Sequence, residues 1–197
     1  MDGLELQMAT NHFGPFLLTG LLLPQLVLSG RGRVVNVSSG LHHAARTAPL
    51  AEPRAQTGRY GRWQVYAQTK LANLLMALEL DRRCREVGLP VEGLAAHPGY
   101  AATHLLAHGQ TLGTKGRAHA ILHAAQRATG QPAAAGAQPI LMAATADLPG
   151  GTFCGPDGFR ELRGEATVVR PSKLARDPRA QQALWELSQR TVGLEWP

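Results

Sequence analysis

Two short apolar runs, "RVVNVSS" (33–39) and "VEGLAAHPG" (91–99), each follow a long helical pattern and end in turn-forming residues. A strand this apolar must be covered on both faces, and a helix between two such strands supplies cover. The patterning predicts helices over 4–29, 63–87, 115–129, 136–147 and 177–193, with strands over 33–39 and 91–99. "GGTFCGPDG" (150–158) reads as a further short strand and turn. Such alternation builds a parallel sheet with crossover helices, so the expected fold class is α/β. The 197 residues suit one domain, 1–197,. Residues 40–62 are rich in Gly, Pro, Arg and Ala and read as a long loop, of a length that is usually functional or mobile,.

In parallel sheets ligands bind beyond the carboxyl ends of the strands. Ser38 and Ser39 stand at one such end, and His97-Pro98-Gly99 at another. The helix between them holds "VYAQTK", in which Tyr66 and Lys70 lie one turn apart among Leu71, Leu74, Leu75 and Leu78,. The chain has 17 Arg but only 3 Lys and 3 Tyr, so this pairing is unusual for its composition. A phenol with a pKa near about 10 is a poor proton donor at neutral pH. An ammonium beside Tyr66 favours the phenolate, and the spacing predicts that Lys70 lowers that pKa for acid–base work.

Other chemistries fare worse. The net charge of +6 comes from scattered arginines without long like-charge blocks, and aromatics are 5% of the chain, which argues against nucleic-acid binding,. Cys84 and Cys154 read as packing residues in a reducing, cytoplasmic setting,. The apolar stretch 13–29 is short for a membrane span and contains Pro24,. "HLLAH" (104–108) and "HAILH" (119–123) have helical spacing for zinc but lack a third ligand, so no metal is expected,. "NVS" (36–38) fits a glycosylation pattern but falls in a buried strand.

Asn11 in "ELQMATNHFGPFLLT", Ser39 in "VVNVSS", Tyr66 and Lys70 in "YAQTKLANLL", and "HPGYAAT" (97–103) follow in an order that resembles the short-chain dehydrogenase/reductase superfamily. "GPDGFRELRG" and "LWELSQ" make the chain similar to its retinol-dehydrogenase-like branch. The resemblance implies the C-terminal part of a Rossmann-type doubly wound parallel sheet, with three remaining strands and flanking helices. It implies an NAD(P)-dependent oxidoreductase that interconverts an alcohol and a carbonyl by hydride transfer, with NADP slightly favoured over NAD. Tyr66 would be the proton donor/acceptor and Lys70 would also hold the nicotinamide ribose. Ser39 would steady the substrate oxygen, with Ser38 as its competitor, and Asn11 would support a water-linked proton relay. Pro98, Gly99 and Thr103 match the segment lining the nicotinamide pocket. The substrate would be a small, apolar alcohol or carbonyl compound, and helices 4–29 and 63–87 would pair in a homodimer.

The family's Gly-rich turn TGxxxGxG, which holds the pyrophosphate, does not occur in these 197 residues,. The resemblance places Met1 just before the helix that carries Asn11, so on the order of 80–100 residues of βα units are expected to be absent. Two expectations follow: an unpaired sheet edge and weak cofactor affinity. The alternative reading is a non-catalytic remnant that acts through dimerisation.

Overall fold

A computed structural model of the chain describes residues 3–47, 60–100 and 131–197. Glu5 opens the first helix, its carboxylate accepting the backbone N–H of Gln7 at 3.0 Å and of Met8 at 2.7 Å. These are donors that a helix start leaves unpaired. Helix α1 (Leu6–Met8) runs through a π turn (Ala9–Phe13) into α2 (Gly14–Leu28). The single helix expected over 4–29 is thus continuous but widened, with the Gly14 N–H reaching the Ala9 carbonyl five residues back. Pro15 supplies a reason. It has no N–H for the carbonyl of Asn11, and in a regular turn its ring would press on that oxygen.

Strand β1 (Gly32–Val37) pairs in parallel with β2 (Val91–Ala96), from Gly32 opposite Val91 to Val37 opposite Ala96. β2 pairs in parallel with β3 (Phe153–Pro156). A fourth strand, β4 (Ala166–Val168), runs antiparallel to β3, giving the order β1-β2-β3-β4. The expectation of three strands is corrected by this addition. Three residues carry too little periodicity to announce a strand, and β4 exists because β3 offers it an edge.

Helix α3 (Arg62–Glu86) joins β1 to β2, α4 (Ala133–Thr145) precedes β3, and α5 (Pro178–Val192) closes the order. The helix expected over 115–129 lies outside the described residues. The sheet is covered on both faces. Val34 and Val91 pack with Phe16, Leu80 and Trp185 from α2, α3 and α5. On the opposite face Val35, Leu94, Ala96 and Cys154 pack with Ile140 and Ala143 of α4. Contact with α3 is close at Gly93, where an added Cβ would lie 2.3 Å from the Ala77 carbonyl oxygen. Cys84 and Cys154 are buried free thiols, and burial pushes Cys84 up to about 11, so both serve as packing,. Among the described residues, no helix is long and apolar enough to cross a membrane.

β1 is an edge strand among the described residues. The N–H groups of Gly32 and Ser38 donate towards β2, to the carbonyls of Pro90 and Ala96, each at 2.8 Å. By the alternation of a parallel ladder, Arg33, Val35 and Val37 turn their backbone groups to the free edge. The Val37 carbonyl there accepts from Lys70 Nζ at 3.1 Å and Asn73 Nδ2 at 3.0 Å.

Candidate active site

The carboxyl ends of β1 and β2 lie side by side and bring the expected residues to one end of the sheet. The two serines that follow β1 have different tasks. Ser38 is buried, and its hydroxyl donates to the Lys70 carbonyl at 2.8 Å. Ser39 caps a 3-10 turn (Gly40–Ala44), accepting the Leu41 N–H at 3.3 Å, and its side chain lies near enough to Tyr66 to favour the phenolate. The geometry therefore favours Ser39 over Ser38 as the residue beside the phenol.

His42, inside the stretch read as a loop, holds Ser39 from behind. Its Nδ1 lies 2.7 Å from the Ser39 carbonyl, and its Nε2 lies 3.3 Å from the Ser172 N–H. A ring that donates at Nδ1 and accepts at Nε2 is neutral. Burial is the main cause that lowers its pKa to about 4,.

Tyr66 is almost fully buried, and burial pushes its phenol above the usual value while the nearby Ser39 side chain pulls it down. The expected depression by Lys70 is not what this geometry gives. The Lys70 ammonium sits over the ring face, 5.5 Å from its centroid, and spends one N–H on the Val37 carbonyl. Burial in turn lowers the Lys70 pKa. Tyr66 is accordingly a protonated phenol at neutral pH, and among the described residues Lys70 Nζ donates to the Val37 carbonyl alone,.

Asn11 reaches the same helix. Its Nδ2 donates to Thr69 Oγ1 at 3.2 Å, and Thr69 donates to the Tyr66 carbonyl at 2.8 Å. Asn11 thus lies beside the residue that precedes Lys70, and Pro15 denies its carbonyl the usual helical donor. Pro98 and Gly99 follow β2, and Gly99 takes the left-handed φ of 63° that favours glycine,. Thr103 lies outside the described residues, as do the histidine pairs His104/His108 and His119/His123. Among the described residues no group of three or more His, Cys, Asp or Glu could hold a metal.

Sequence reasoning missed Thr69, Asn73, His42, Gln131 and Glu161. For the first two a signal existed: Tyr66, Thr69, Lys70 and Asn73 recur at i, i+3, i+4, i+7, a polar stripe on an otherwise apolar helix.

Fold and site together define an α/β protein with a tyrosine–lysine–serine centre at the carboxyl end of a parallel sheet. Comparison with known proteins gives the same class. Human retinol dehydrogenase 13 is 36% identical, over 100% of this chain and 56% of its own length. Mouse polyprenol dehydrogenase is 36% identical, over 98% of this chain and 55% of its own. The short-chain dehydrogenase TIC 32 A, chloroplastic, of Brassica napus is 33% identical over 97% and 58%. A crystal structure of an uncharacterized protein from Mycobacterium Paratuberculosis superposes with a TM-score of 0.73 at 38% identity, covering 100% of this chain and 62% of that one. No family model matches. The chain belongs to the short-chain dehydrogenase/reductase superfamily, in its retinol-dehydrogenase-like branch. It spans about 56% of the length of the first two curated relatives it matches.

Proposed function

We propose that the chain carries the proton-transfer centre of an NAD(P)-dependent oxidoreductase that interconverts an alcohol and a carbonyl. The observation that supports this best is the buried Tyr66 with the Ser39 side chain near it and Lys70 one turn further along α3. In the direction of reduction, Ser39 donates a hydrogen bond to the substrate oxygen and Tyr66 gives it a proton as negative charge develops there. The bound nicotinamide supplies or accepts the hydride.

The residues present suit the nicotinamide-ribose end of that cofactor. A lysine Nζ that donates to one carbonyl among the described residues, beside a phenol, suits a pair of ribose hydroxyls,. Lys70 would hold that ribose, Pro98, Gly99 and Thr103 would line the ring, and Asn11 would support a water-linked proton relay. NADP is favoured over NAD on family resemblance. Two relatives are named for retinol and polyprenol, both apolar alcohols, in keeping with an apolar substrate. The proposed location is cytoplasmic.

Fluorescence titration of the chain with NADPH and NADH tests this reading. Binding that weakens in Lys70→Ala, and persists in Tyr66→Phe with loss of carbonyl reduction, is the expected result. Binding indifferent to Lys70 overturns it.

A second reading, association through the helix 4–29 face, is favoured by one observation. Leu18, Leu21, Leu22 and Leu28 of α2 are 58%, 60%, 46% and 85% exposed. Such a stripe on a helix is costly unless covered. Light scattering that gives a monomer mass at all concentrations removes the homodimer.

A further inference from the structure

Beyond β3 the chain enters a short 3-10 turn, Phe159–Glu161, where Arg160 and Glu161 take left-handed φ values of 51° and 56°. Neither is glycine, so this backbone is strained, and strain of this kind points to a task. The task here is the placement of one carboxylate. Glu161 Oε2 lies 2.8 Å from Nε2 of His97, whose side chain is 0% exposed. On its other side the same ring accepts the Gly99 N–H at Nδ1, at 3.2 Å. A ring accepting at Nδ1 must carry its proton on Nε2, where it donates to Glu161. Both nitrogens are then used, and one neutral tautomer satisfies them.

Two more bonds draw this strap onto the end of β2. The Leu162 carbonyl accepts the Tyr100 N–H at 2.6 Å, and Gln131 Nε2 donates to the Pro98 carbonyl at 2.7 Å. The approach is close enough that a Cβ on Gly99 would lie 2.6 Å from the Leu162 oxygen. The turn Pro98–Gly99 is therefore held by an element some sixty residues away in sequence, with His97 as the intermediary.

We propose that Glu161 is a positioning residue for the Pro98–Gly99 turn, acting through the His97 imidazole. Its relevance to catalysis rests on the reading of that turn as a wall of the nicotinamide pocket. The groups that face His97 are the Glu161 carboxylate, the His42 and His43 imidazoles and the Phe153 ring, the last at 5.2 Å. Burial disfavours the imidazolium and Glu161 favours it, with a net lowering. Protonation at Nδ1 would set an N–H against the Gly99 N–H and break the bond that fixes the turn.

The test uses the 15N-labelled chain and reads the His97 ring nitrogens together with amide exchange at Gly99 and Tyr100. At neutral pH His97 should carry one proton, on Nε2. Gly99 exchange should rise about tenfold in Glu161→Ala while the Leu94 amide is unmoved, and Glu161→Gln, which keeps an acceptor, should stay near wild type. NADPH affinity should follow the same order across the three proteins. If the unaltered chain binds no NADPH while the amide pattern holds, the pocket reading fails and the positioning role stands. Should Glu161→Ala not fold, acid titration of the unaltered chain decides, because Gly99 protection, corrected for the intrinsic rate at each pH, must then fall ahead of that of Leu94 as His97 takes its second proton. Gly99 exchange indifferent to both changes, or a doubly protonated His97 at neutral pH, overturns the proposal.

Discussion

The hydroxyl of Ser38 donates to the carbonyl of Lys70 at 2.8 Å, tying the end of β1 to the middle of α3. Ser38 is thereby committed to structure, and its neighbour Ser39 is the one whose side chain lies near Tyr66. Ser38→Ala should cost about 1–2 kcal/mol in urea unfolding by leaving a buried carbonyl short of its donor. Ser39→Ala should leave the unfolding midpoint nearly unchanged and slow carbonyl reduction by roughly a hundredfold. Reversed effects would mean that the roles are exchanged.

Tyr66→Phe separates chemistry from packing. The ring stays in its buried place, so thermal stability should hold, while carbonyl reduction should fall by about 10²–10⁴-fold. Because burial raises the Tyr66 pKa above its usual 10.0, the phenol keeps its proton throughout the neutral range. On the proposed function reduction draws on the phenol, and it should therefore be lost only as pH climbs past that raised value. A reduction profile that falls below pH 9 would contradict this (about one unit under the unperturbed value).

Two buried histidines set the acid limit. Burial lowers both His12 and His42 from 6.5 to about 4. His12 Nε2 pairs with Ser188 at 2.8 Å, and Asn73 lies near enough to favour the charged ring slightly, though no hydrogen bond of normal geometry joins them. For a group whose folded pKa is depressed, the unfolded chain takes up the proton first. The stability they contribute is complete above 6.5 and lost as pH falls towards 4. Denaturant midpoints should drop steeply across that window, by an amount on the order of a few kcal/mol in total. His42→Gln should remove part of the slope.

Gly93 answers to space alone. An added Cβ would lie 2.3 Å from the Ala77 oxygen and 2.9 Å from the Asp81 nitrogen, both of them backbone atoms of α3. Gly93→Ala should push helix from strand and cost about 2–3 kcal/mol of unfolding free energy. A change within experimental error would mean that α3 sits further from the sheet.

The amino-acid pattern revealed the parallel layers and the polar pair because both are local signals. Periodicity marks a helix within a dozen residues, and Tyr66 and Lys70 stand out against an apolar background,. The choice between Ser38 and Ser39 was open to the pattern, since one rotation about the chain separates them. It is the α3 backbone that distinguishes the two. Glu161 and Gln131 were beyond reach for a different reason. Glu161 meets His97 across 64 residues and Gln131 meets Pro98 across 33, and no sequence period connects such positions. The widened turn at Ala9–Phe13 had a visible cue in Pro15, but its effect depends on where the helix has already started.

The Val37 oxygen, finally, has two lone pairs, and side chains of α3 already occupy both,. Any strand laid along that border of the sheet would bring its own amide to the same atom, and one of the two tenants must then leave. If it is Lys70 that departs, lengthening the sheet and freeing the ammonium to grip a sugar become a single event.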